Sequence, residues 1–141
     1  MLTAAELSTK LREGGYRVTS QRLGVYQVLA GSGEHLTPER VLERVRELHP
    51  SMSLNTVYEV LETLTALGVI RRADVGAGPR RYDANVEPHH HLVCRSCGIQ
   101  VDIPCETGRA PCMEPSSLDG FRVDEAQVTF FGLCSRCRDN A

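Results

Sequence analysis

The sequence predicts an α+β fold in two parts, and three observations carry that expectation. Residues 1–84 read as capped, Gly-stopped helical segments that close on a hairpin pattern. The second part favours short strands. Two Cys-x-x-Cys pairs, Cys94/Cys97 and Cys134/Cys137, punctuate those strands. Two thiolates of such a pair reach one ion from a tight turn, and two pairs complete the tetrahedral shell of structural zinc.

The helices are justified by their ends. Thr3 with Glu6 forms a capping box, and Gly14-Gly15 stops the first segment. Thr19 caps a second, carrying Leu23, Val25, Tyr26, Val28 and Leu29, with stop signals at Gly31 and Gly33. Thr37-Pro38 is an N-cap and N1 pair, after which Val41, Leu42, Val45 and Leu48 share a face. Ser53 caps a fourth helix with the stripe Val57, Val60, Leu61, Leu64 and Leu67, closed by Gly68. A hairpin follows, from Val69 through Ala73, around a Gly76-Ala77-Gly78-Pro79 turn, and back through Arg80, Arg81, Tyr82 and Asp83.

Short helices followed by a hairpin form the winged helix-turn-helix pattern, which competes with a plain helical bundle. Its last helix would expose Asn55, Thr56, Tyr58, Glu59 and Thr63, of which Asn and Thr can read base edges and Tyr can pack on a thymine methyl. Arg71, Arg72, Arg80 and Arg81 in the wing are placed for phosphates. Residues 1–84 are therefore expected to be a winged-helix DNA-binding domain, residues 85–88 a hinge, and residues 89–141 a metal-binding domain. Strands are expected at Leu92-Val93, Ile99 to Ile103 and Val128 to Leu133. The Pro- and Gly-containing segment 104–120 argues against a long helix.

Composition sets the frame. The chain has 141 residues and a formal charge of −2, which excludes a strongly basic nucleic-acid binder. The charge is uneven: residues 1–84 hold 11 basic and 10 acidic side chains, residues 85–141 hold 5 and 8. A DNA-binding half would thus act by placement of a few side chains. No run of about 18 apolar residues is present, and MLTAAELSTK is too polar for a signal peptide. A cytoplasmic location is expected, with the cysteines as ligands or redox thiols.

A second set of ligands lies beside the first pair. Along a strand His89 and His91 share a face, and His90 points away. Asp83, Asp102 and His35 can complete a nitrogen and oxygen set suited to Fe(II) or Mn(II). Solvated histidines are the competing reading, chiefly for His35. Cys105 and Cys112 are read as a redox pair, as extra ligands or as small buried residues.

The strings Tyr16-Arg17-Val18-Thr19-Ser20-Gln21-Arg22, Asn55-Thr56-Val57-Tyr58 and His89-His90-His91-Leu92-Val93-Cys94-Arg95-Ser96-Cys97-Gly98 closely resemble the ferric uptake regulator family. The resemblance runs from about residue 5 to residue 138, motifs in order. It implies a dimeric, metal-dependent repressor with an N-terminal winged helix and a C-terminal α/β dimerisation domain. It also implies DNA-facing roles for Arg17, Thr19, Gln21 and Arg22, structural zinc on the four cysteines, and regulatory Fe(II) or Mn(II) on His35, Asp83, His89, His91 and Asp102. That ligand pattern is similar to the peroxide-sensing branch, where Glu at position 83 would match iron uptake and Cys zinc uptake. Segments from Asp102 to Cys112 and from Gly120 to Ala126 are similar to an actinobacterial, catalase-associated subgroup.

In such relatives peroxide oxidises a histidine ligand, by position His35 or His89 here. Three departures stand out. Pro88, Arg109 and Ala126 occupy the positions of a further metal site, the usual helix after Asp102 is replaced by the Pro- and Gly-containing stretch, and Glu59 follows Tyr58. Three rival readings remain: an iron- or manganese-uptake repressor, a Cys105–Cys112 thiol switch, and a mononuclear metallohydrolase. Five protein ligands leave the hydrolase little room for water and substrate.

Overall fold

The computed structural model describes residues 1–74, 78–87, 89–104, 116–123, 126 and 128–140. They fall into two compact units, Met1–Val86 and Glu87–Ala141.

The first unit opens with four helices: α1 (Ala4–Glu13), α2 (Ser20–Ser32), α3 (Pro38–Val45) and α4 (Leu54–Ala66). Their starts are built as the sequence predicts. Thr3 accepts from the Glu6 amide at 3.2 Å while the Glu6 carboxylate accepts from the Thr3 amide at 2.7 Å. That bond from the Thr3 amide also holds the Glu6 carboxyl below its ordinary pKa. Thr19, Thr37 and Ser53 cap α2, α3 and α4 through the amides of Arg22, Arg40 and Thr56. Each cap satisfies one orphan donor of the first turn and is worth about 1 kcal/mol.

Of the two stops expected for α2 the second ends the helix, and α3 ends short of its expected stripe. Helix α2 continues through Gly31 and stops at Gly33, whose φ of 64° is the left-handed value a C-cap glycine supplies. Helix α3 ends at Val45, which leaves Leu48 off its buried face and 68% exposed. The core otherwise follows the predicted stripes, Val25 and Leu29, Val41 and Val45, then Val57, Leu61 and Leu64, and α1 adds Leu7 and Leu11. Burying each such side chain contributes roughly 1.5–3 kcal/mol.

The wing is shorter than the apolar pattern suggests. Strands β1 (Arg71–Arg72) and β2 (Tyr82–Asp83) pair antiparallel, Arg71 opposite Asp83 and Arg72 opposite Tyr82. Val69 and Ile70 are spent on the core instead. Leu36 pairs with Tyr82 across β2, so the loop before α3 borders the wing.

The second unit is a three-stranded sheet with a short helix: β3 (His89–Cys94), β4 (Gln100–Pro104), β5 (Thr129–Gly132) and α5 (Ser135–Asp139). The strand order is β4-β3-β5, with β4 antiparallel and β5 parallel to β3. Among its described residues only His89, His91, Cys94 and Gln100 are buried. An aliphatic core is missing from that set, while Leu92, Phe130, Phe131 and Leu133 are about half exposed. No described helix is long and apolar enough to cross a membrane.

Candidate metal centres and nucleic-acid face

The four cysteines meet because strand ends and a helix start meet. Cys94 closes β3, and Gly98, at φ 76°, turns the chain so that its amide returns to the Cys94 carbonyl at 2.9 Å. That tight turn carries Cys97. Parallel β5 ends beside β3, with Cys94 in register with Gly132, and delivers Cys134 as the N-cap of α5 and Cys137 within it. All four sulfurs lie within 4.8 Å of one another, and Cys97 Sγ is 3.7 Å from Cys134 Sγ. A tetrahedron with metal–sulfur bonds of about 2.3 Å has edges near 3.8 Å, so the spacing fits an ion and is far too long for a disulfide.

Backbone amides prepare these thiols. The Cys134 and Cys97 amides pull the Cys94 thiol down to about 6, and the Cys137 amide lowers that of Cys134. At Cys137 the Ser96 hydroxyl pulls down, but Cys134, burial, Cys97 and Cys94 together push it up to about 11. A cluster in which the thiols cannot all ionise at neutral pH is one that a divalent cation would relieve.

The nitrogen and oxygen ligands form one group in each unit. In the second unit, alternation along β3 puts His89 and His91 on a buried face and leaves His90 half-exposed. His91 is the cross-strand partner of Asp102. One oxygen, Asp102 Oδ1, lies 3.1 Å from His89 Nε2 and 3.3 Å from His91 Nδ1, and the two rings meet edge to face at 4.8 Å. His89 Nδ1 lies 2.6 Å from the Glu87 carbonyl and must be its protonated, donating nitrogen. In the neutral ring, Nε2 is then a lone pair aimed at a carboxylate oxygen, an arrangement that requires a proton or a cation between them.

In the first unit, His35 Nε2 lies 3.1 Å from Asp83 Oδ2, with both side chains buried. Asp83 Oδ1 accepts from the Asn85 amide at 2.8 Å. The His35 carbonyl accepts from Arg81 at 2.9 Å. Imidazole and carboxylate donors are the chemistry that suits Fe(II) and Mn(II), and the four thiols suit zinc.

The proposed DNA side chains lie on the first unit. Helix α4 exposes Asn55 and Glu59 and keeps Thr56 and Tyr58 half-buried. The Thr56 hydroxyl is 3.0 Å from that of Ser53, and Tyr58 Oη lies 3.5 Å from a Glu39 oxygen. A cleft of about 210 Å³ is lined by Arg17, Thr19, Gln21 and Arg22 on one side and Thr56, Glu59 and Val60 on the other. Arg22 stacks 5.5 Å from the Tyr16 ring centre and donates to the Arg17 carbonyl, which holds the rim in place.

The four wing arginines are not equivalent. Arg80 is exposed, Arg72 pairs with Asp74, Arg71 is half-buried opposite Asp83, and Arg81 turns inward to His35. Cys105, Cys112 and the expected wing turn at Gly76 and Ala77 lie outside the described residues, as do Pro88 and Arg109. Sequence reasoning missed the Glu87 carbonyl, the Asn85 amide and the inward role of Arg81. The first two are backbone groups of residues whose types carry no signal, and an arginine's direction follows only from packing.

Comparison with known proteins agrees with this architecture. The family model described as "Ferric uptake regulator family" matches residues 13–131. Transcriptional regulator FurA of Mycobacterium tuberculosis is 38% identical over 138 residues, covering 97% of this chain and 93% of that protein. The solved ferric uptake regulator of Helicobacter pylori, described as having three functional metal binding sites, superposes with a TM-score of 0.72 at 23% identity, covering 97% and 95%. The Campylobacter jejuni peroxide stress regulator gives a TM-score of 0.69 at 26% identity, covering 97% and 100%.

Proposed function

The chain belongs to the ferric uptake regulator family, and from that premise we propose that it is a metal-dependent repressor that releases its operator on exposure to peroxide. The family comprises transcriptional regulators and not enzymes, so the metallohydrolase reading falls. It acts as a dimer on operator DNA. A symmetric dimer matches a palindrome with half-sites about one helical turn, or multiples, apart. The proposal includes a cytoplasmic location, where operators are reached.

In this reading structural zinc sits on Cys94, Cys97, Cys134 and Cys137, and Fe(II) or Mn(II) takes His89, His91 and Asp102 together with His35 and Asp83. The observation that carries it is the pair of histidine nitrogens facing one oxygen of Asp102, a donor set that a proton or cation must complete. In this reading metal occupancy is what selects the DNA-competent shape of the dimer. Switching between competent and incompetent shapes across 1:99 to 99:1 needs about 5.5 kcal/mol of differential metal affinity. Asn55, Thr56 and Tyr58 would face base edges, with Arg17, Thr19, Gln21, Arg22 and the wing arginines Arg71, Arg72 and Arg80 on or near the backbone.

When bound, Fe(II) supplies the peroxide chemistry that adds oxygen to a histidine ligand, whereas Mn(II) does not. The chain's own contribution is to present His35 and His89 in a buried setting where an oxidised ring no longer ligates. The support is the all-Asp carboxylate set and the likeness to a peroxide stress regulator. Catalase and other oxidative-stress genes are the expected targets.

A second reading, an iron- or manganese-uptake repressor without peroxide sensing, is favoured by relatives described as ferric uptake regulation proteins, 36% identical in Mycolicibacterium fortuitum and in Bacillus subtilis, against 26% for the peroxide regulator. Operator binding titrated with Fe(II), Mn(II) and Zn(II), with and without peroxide, separates the two. Peroxide sensing predicts release of the Fe(II) form alone, with a +16 mass on the His35 or His89 peptide. Retained binding without that mass, at transport-gene promoters, assigns the uptake role instead.

A further inference from the structure

We infer that Arg81 is a positioning residue that ties the wing to the metal-ligand segment of the first unit, and not a phosphate contact. The segment 35–36 and the segment 81–83 clasp each other at three levels. Leu36 and Tyr82 exchange both backbone bonds, at 3.3 and 3.0 Å. The His35 and Asp83 side chains meet at 3.1 Å. Between these, the Arg81 guanidinium reaches the His35 main-chain carbonyl at 2.9 Å.

The other face of the same residue is anchored in the wing. The Arg81 amide donates to Asp74 at 2.9 Å, and its carbonyl accepts from the Ala73 amide at 2.9 Å. Asp74 in turn pairs with Arg72. The Arg81 bond thus adds to the clasp a charged link from His35 to both sides of the wing base. Such bonds are about twice as strong as neutral ones, and the planar guanidinium loses little freedom in making them. Arg80, the exposed neighbour, is left as the residue at this point that faces solvent.

The inference rests on the proposed ligand role of His35 and Asp83, and its test is chosen to stand apart from it. Arg81→Gln and Arg81→Lys are made in the zinc-loaded 141-residue chain. Hydrogen exchange of the Leu36 and Tyr82 amides is followed without added metal and with Mn(II). Operator affinity is measured against salt at saturating Mn(II). Exchange at both amides should rise about tenfold in Arg81→Gln, the loss of one charge-assisted bond, and lysine should restore it only in part. Mn(II) affinity should fall severalfold, while the slope of log affinity against log salt stays at the wild-type value.

A slope smaller by about one unit in Arg81→Gln and restored in Arg81→Lys, with exchange unchanged, makes Arg81 a phosphate contact and overturns the inference. If the wild-type chain binds no operator under any metal, the proposed function fails, but the exchange experiment still decides the role of Arg81.

Discussion

His91 and Asp102 are cross-strand partners in β3 and β4, and their side chains meet at 3.3 Å over an oxygen that His89 shares. The sheet register alone brings the three donors together, because opposite residues on adjacent strands project from the same face. A one-residue slip would send both histidines to the other face.

Asp102→Asn removes the charge that both imidazoles face and keeps the shape. Fe(II) and Mn(II) affinity should fall by at least about 10–100-fold, the range seen when only a ligand's supporting partner is lost. Zinc content, measured by elemental analysis, should stay at the wild-type value. Unchanged Mn(II) binding by calorimetry would remove Asp102 from the site.

Zinc should carry the fold of the second unit. Among its described residues those buried are His89, His91, Cys94 and Gln100, so a zinc ligand is part of the little that this sheet buries there. Structural zinc supplies an apparent 10–16 kcal/mol or so in small domains. Stripping zinc with a strong chelator, or Cys94→Ser, should abolish exchange protection in β3–β5 while α1–α4 keep theirs. Simultaneous loss of protection in all elements would contradict this independence.

Zinc uptake should depend on pH with a definite sign. At neutral pH Cys94, held at about 6, is largely thiolate, and Cys137, pushed up to about 11, is a thiol. Metal entry therefore expels protons, and affinity falls as pH drops, more steeply below about 6 where Cys94 also protonates. Protons released per zinc, titrated in weak buffer, should rise from pH 8 to pH 5. A constant count across that range would be the adverse result.

The cap of α4 offers a separate test of stability and function. Ser53→Ala leaves the Thr56 amide without its 3.2 Å acceptor and should cost about 1 kcal/mol, a shift of a few degrees in Tm. Leu61→Ala, at the fully buried core of the same helix, should cost roughly 2–5 kcal/mol. Equal small losses from the two would mean that α4 is not packed as described.

Glu59 should set base preference. It is exposed on α4 and lines the same cleft as Arg17 and Arg22. A carboxylate in the major groove accepts from the cytosine amine and repels the acceptor edges of guanine. Selection from randomised half-sites should show Glu59→Gln relaxing the choice at one position, by about 1–3 kcal/mol of discrimination. An identical selected site for the variant would place Glu59 away from the bases.

The helix starts were legible in the sequence because capping is local: Thr3, Thr19, Thr37 and Ser53 bond to amides three residues on. The buried stripes were legible for the same reason, since a period of 3.6 is set within one helix. Leu48 fits the sequence stripe but lies beyond α3, because a helix end depends on what the next turn packs against. Strand β1 is shorter than its apolar pattern because Val69 and Ile70 read equally well as strand or as core.

At the metal groups, residue type and alternation along β3 are enough to single out His89, His91 and the four cysteines. The sequence by itself determined which donors exist and which of them share a strand face, because these follow from side-chain chemistry and a repeat of two. Only the tertiary structure decided that one Asp102 oxygen serves two histidines, that the Glu87 carbonyl sets the His89 tautomer, and that Arg81 turns inward to His35. Those are distances between residues remote in sequence or backbone groups common to every residue, and neither leaves a mark in the order of amino acids.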